Sequence, residues 1–91
     1  MQPFSRIIEQ SNEAGIGFLM VELDAGLTFM GVAETTASSE TAARNRDHAH
    51  LAYVTILRYV DRVRFDDDNK AEFEQKFAEL KDQLAEAGYP V

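Results

Sequence analysis

The stretch "GIGFLMVELDAGLTFMGVAETT", residues 15–36, constrains this chain more than any other because it admits two different folds. Read as strands, "FLMVEL" and "LTFMGVA" flank "DAG", a three-residue hairpin loop with Gly26 at the left-handed position. Read as a helix, the polar and small positions Asp24, Thr28, Gly31 and Thr35 are spaced four, three and four, and so form one stripe. Almost everything else around the wheel is apolar or small, which describes a helix buried on most sides. The hairpin accounts for Asp24 and Gly26 but gives no reason for the stripe to continue to Thr35. The helix is therefore the expectation over 16–36, with the hairpin as the alternative. Gly26 and Gly31 each lower helix propensity by about 1 kcal/mol. The expected return is close approach of a neighbouring helix.

The flanking segments are helical in pattern. Residues 4–14 place Phe4, Ile7, Ile8 and Ser11 on one face, with Pro3 suited to a first turn and Gly15 as a stop, so a short separate N-terminal helix is expected. Ser38 or Ser39 can cap a helix running from about Ala42 to Arg64, with Glu40 near the positive end of its dipole. Its core stripe is Ala49, Ala52, Tyr53, Ile56, Val60 and Val63, while Leu51 and Val54 lie on the opposite side. A last helix over 69–87 has Asp67 or Asp68 as its cap and buries Phe73, Phe77, Leu80, Leu84 and Ala87. Glu72 and Lys76 support it at i,i+4, and Gly88 and Pro90 end it. The fold expected is all-α: a single domain over 1–91, a bundle of three main helices plus a short N-terminal helix.

Ninety-one residues bury only about 60–65% of their unfolded surface, so the core is thin. The net charge of −7 repels phosphate backbones and argues against DNA and non-specific RNA binding. That charge is uneven: residues 1–40 carry −5, residues 41–64 carry +3 and residues 65–91 carry −5. A basic element thus sits between two acidic ones, which fits complementarity within a bundle. No cysteine is present, so disulfides and thiolate metal sites are excluded. "MQPFSRIIEQ" lacks the pattern of a signal peptide, and no apolar stretch is expected to reach the ~20 residues of a membrane span. A cytoplasmic protein with no membrane partner is the resulting expectation.

The residues that invite a chemical reading cluster in "ARNRDHAHLAY", residues 43–53. His48 and His50 are spaced by two, about 200° apart on a helix, so they cannot ligate one metal together, and no metal or cofactor is expected. The run Asp66-Asp67-Asp68-Asn69 lacks the alternating ligands and central Gly of a calcium loop and reads as a helix cap. Glu22, alone among apolar neighbours, is expected to form a structural ion pair with Arg44, Arg46 or Arg58.

Two family resemblances attach to these residues. Arg44, followed by the polar Asn45 and then by His50 after five intervening residues, resembles the R-x(4–6)-H signature of HEPN-type ribonucleases. The resemblance implies a dimeric all-α enzyme acting on RNA, with His50 as general acid–base, Arg44 stabilising the developing charge and Asn45 orienting. Separately, Ala25-Gly26 with Phe29, and Ala49 with Tyr53, Ile56 and Leu57, look like a helical hairpin of the tetratricopeptide type over about 45 residues. This chain departs from that pattern at Glu22, which takes the Trp-like place, in lacking the terminal Pro, and in a connecting loop that reads as longer. That resemblance implies a protein-interaction role through a groove beside the Gly26 helix.

No convergent catalytic set emerges from the residues themselves, and the basic helix is apolar on two faces. The leading expectation is a small non-enzymatic interaction or oligomerisation module. Its partner face centres on Leu51, Val54 and Arg58, engaging a second copy or an acidic or apolar segment of another protein.

Overall fold

The computed structural model describes the backbone of Pro3–Val91 and the side chains from Gln10 onward. Three helices make up the bundle: α1 (Pro3–Thr35), α2 (Ser39–Tyr59) and α3 (Asp67–Glu86), with a 3₁₀ turn at Val60–Arg62. The described residues contain no strand, which settles residues 16–36 as helix. The expected short N-terminal helix is not a separate element: α1 is continuous through Gly15. A Cβ built on Gly15 would lie 2.6 Å from Val63 Cγ1, so this glycine accommodates a neighbour where a stop was expected.

Ser38 caps α2, its hydroxyl accepting from the Thr41 amide at 3.1 Å, with Glu40 in the first turn. The link from α1 to α2 is only residues 36–38, shorter than the sequence pattern suggests, so the two helices form a tight antiparallel hairpin. Asp66, one residue before the expected Asp67 or Asp68, caps α3 by accepting from the Asn69 amide at 2.8 Å. At its other end, Tyr89 N donates to Leu84 O and Gly88 N to Ala85 O, each at 3.0 Å, the Schellman pattern. It requires the left-handed backbone that Gly88 adopts at φ 89°.

The core is Leu19, Leu23, Met30 and Ala33 from α1, Ala42, Ala49, Ala52, Tyr53 and Ile56 from α2, and Phe73, Leu80 and Leu84 from α3. The α2 stripe read from sequence is therefore the buried one, with Val60 and Val63 packed at its edge. Along α3, Ala87 is exposed and not core. Gly26 is buried where three helices meet: a Cβ there would lie 2.9 Å from Leu80 Cδ2 and 3.5 Å from Ala52 Cβ. Gly31 has open space around it, so the expected close approach holds at Gly26 and fails at Gly31.

Within α1, the segment Gln10–Thr35 is long and apolar enough to cross a membrane by length and composition, contrary to the sequence expectation. Only 28% of it is buried in the bundle. The helix read as buried on most sides is in fact covered on one.

Candidate functional site

The α1–α2 hairpin has two long grooves, and α3 fills one of them. On that side Lys76 Nζ reaches Asp24 Oδ1 at 2.9 Å, and Tyr53 stacks on Phe77 with centroids 5.2 Å apart. The ring series continues from Phe77 to Phe73 at 5.5 Å and from Phe73 to Phe65 at 4.7 Å. Beyond α3, the tail folds back on the same flank of α2. Tyr89 Oη donates to Asp47 Oδ1 at 2.5 Å, and the His50 ring pairs Nε2 with Pro90 O at 3.0 Å. The bond to Asp47, aided by partial burial, raises the Tyr89 pKa above its ordinary value of 10.0.

At 100° per residue, the opposite groove is lined by Phe18, Glu22, Ala25, Phe29 and Val32 of α1 and by His48, Leu51, Thr55 and Tyr59 of α2. Two contacts across the helices confirm this pairing. Phe18 meets Tyr59 edge-on at 6.0 Å, and Phe29 meets His48 at 5.3 Å. Nothing in the described chain covers this groove. Val21 is 67% exposed, Leu51 63%, Phe18 45% and Val32 39%, so large apolar side chains from both helices face outward. Arg62 lies over the Tyr59 ring at 5.0 Å, and Arg44 and Arg58 stand exposed along the same edge of α2. Among the described residues the ion pairs are those of Lys76 with Asp24 and with Glu72, the latter at 3.5 Å. The expected pairing of Glu22 with Arg44, Arg46 or Arg58 is therefore not formed. Glu22 is half-buried in the groove without a cationic partner.

The partner face named from sequence is thus exposed, but it is incomplete. Leu51 and Arg58 border the open groove, whereas Val54 points further round α2 toward its solvent side, near the exposed Leu57. The apolar contribution of α1, from Phe18, Val21 and Val32, was missed. The signal for it was present: these residues fall on the side of α1 next to the polar stripe Asp24, Thr28, Gly31 and Thr35, all of which are exposed.

Arg44, Asn45 and His50 do not converge within the chain. Arg44 is exposed on the open-groove edge, and Asn45 is turned inward with Nδ2 donating to Thr41 O at 2.9 Å. His50, six residues beyond Arg44 and so about 120° from it, is engaged by the C-terminal tail. His48 and His50 lie on opposite flanks of α2, as their spacing requires. No cluster of three metal-ligating side chains occurs among the described residues. One open cleft of about 600 Å³ lies where Asn12, Glu13 and Ile16 face Arg64, Asp66 and Asn69. Its polar groups largely satisfy one another. Asn12 grips the Arg64 backbone at both N and O, at 2.7 and 2.9 Å, and Asn69 donates to Asp66 at 3.0 Å.

Comparison of the chain with protein-family models, curated proteins and solved structures yields no match.

Proposed function

We propose that this chain is a small non-enzymatic protein-interaction or oligomerisation module working through the open groove of the α1–α2 hairpin. One observation carries the reading: large apolar side chains of both helices, Phe18, Val21, Val32 and Leu51, share a side of the bundle that the chain leaves uncovered. A thin-cored domain gains nothing for its own folding from apolar groups left in water, whereas a docked partner removes each from solvent at about 25 cal/mol per Å². Insertion of α1 across a membrane is the costlier use of the same helix. Glu22 and Asp24 fall at the centre of Gln10–Thr35, and an aspartate there costs about 2.5–3.5 kcal/mol on insertion scales.

The test is absolute mass in solution by light scattering, alone and with candidate partners, for the native chain and for Leu51→Asp. A charge at this exposed position leaves the helical circular dichroism and melting point close to native. It is expected to abolish any association. Association that survives Leu51→Asp and Val21→Asp alike places the binding surface elsewhere and defeats the reading.

A further inference from the structure

We infer that the occupant of the open groove is an acidic amphipathic helix of another protein, an inference that rests on the interaction reading above. The argument is the charge that frames the groove. A chain of net charge −7 lines this one apolar surface with Arg44, Arg58 and Arg62, none ion-paired among the described residues, against the single carboxylate of Glu22. Every one of these arginines lies on the α2 edge, so the groove has an apolar floor and a basic wall. A helix laid in it buries an i, i+3, i+4, i+7 stripe on Phe18, Val21, Val32 and Leu51 and sets carboxylates on its flank against the guanidinium groups. From Phe18 to Val32 is fourteen residues, about 21 Å, so the matching ligand has roughly four turns.

The same framing disfavours the other occupants. A second copy related by a two-fold axis presents the identical patch, so the basic walls contribute like charges to a shared interface. An anionic membrane surface satisfies the arginines but also covers Glu22, which lies half-buried among the apolar residues and would have to leave water. A helical ligand can place a polar residue opposite Glu22.

The experiment uses the full chain and a fluorescein-labelled 18-residue helical peptide with leucines at i, i+3, i+4 and i+7 positions and glutamates on the flanks. The control peptide has lysine in place of every glutamate. Fluorescence anisotropy is expected to register binding of the acidic peptide that weakens with added salt, and at least tenfold weaker binding of the basic one. The double variant Arg58→Glu, Arg62→Glu is expected to lose about tenfold for the acidic peptide and to reverse the preference, and Val21→Asp to lose binding of both. Circular dichroism verifies that each variant is folded. Equal binding of the two peptides overturns the inference. So does a dimer that Val21→Asp disperses with no peptide bound, or co-sedimentation with phosphatidylserine vesicles with no peptide bound. The dimer outcome leaves the interaction module standing. A strict monomer that binds neither peptide nor vesicles, and in which Val21→Asp and Leu51→Asp change nothing, defeats both.

Discussion

Gly26 and Gly31 sit on the same helix, five residues apart, and have opposite consequences. At Gly26 a side chain collides with Leu80 and Ala52. Gly26→Ala sets a helix-propensity gain of about 1 kcal/mol against a contact that the Leu80 methyl can partly evade, and is expected to be near neutral. Gly26→Val has no such escape and is expected to cost about 2–3 kcal/mol, a fall in melting point of roughly 10 °C or more for a domain of this size. Gly31→Ala adds a Cβ in open space on an exposed helical face and is expected to stabilise by about 0.4–1 kcal/mol. Thermal melts of the three variants check the ranking. A second residue-scale prediction concerns Tyr89. Its pKa in the folded chain lies above the unfolded value, so the folded state favours the protonated hydroxyl. The contribution is complete below about pH 10 and is lost as pH rises through the folded-state value. Ultraviolet titration of the phenolates is expected to register one late-titrating tyrosine, and Asp47→Asn to bring it down. If titration is unchanged in Asp47→Asn, the Tyr89–Asp47 bond is not responsible.

At the scale of elements, α2 and α3 were legible because their signals are local. A serine before an acidic first turn, an aspartate reaching an amide three residues on, and a glycine at the left-handed position act within a few residues of one another. The residual errors there are a residue or two at a cap and the tightening of the end of α2 into a 3₁₀ turn. In α1 the local reading failed. Gly15 carries the propensity of a stop, yet the packing of Val63 on its open face uses that glycine inside a continuous helix. Asn12 adds a fastening that no periodicity announces, holding the Arg64 backbone from 52 residues away. Asn12→Ala is expected to cost about 1 kcal/mol and to speed amide hydrogen exchange around residues 63–66, with α2 and the middle of α3 unaffected. Uniform acceleration across the bundle is the result that contradicts a local fastening.

For the whole molecule, the decisive question is which groove of the hairpin the third helix takes. The Phe65–Phe73–Phe77–Tyr53 series and the returning tail commit α3 to the flank of α2 that carries His50 and Tyr53. Leu80→Ala, which removes a fully buried side chain from that packing, is expected to destabilise by about 2–5 kcal/mol, read as a drop in the denaturant midpoint. Leu51→Asp and Val21→Asp, on the open side, are expected to alter stability by no more than about 0.5 kcal/mol while changing association. The sequence by itself determined the helical class, the caps, the core stripes of α2 and α3 and the exposure of Leu51 and Arg58, because period and capping are interactions among near neighbours in the chain. Only the tertiary structure decided that α1 is one helix, that Glu22 stays without an ion pair, that Arg44 and His50 part company, and that Phe18, Val21 and Val32 remain uncovered. A helix that is apolar nearly all round reads as buried nearly all round. Which part of it meets solvent depends on how many neighbours it has and where they dock, and that depends on contacts between residues far apart in the chain.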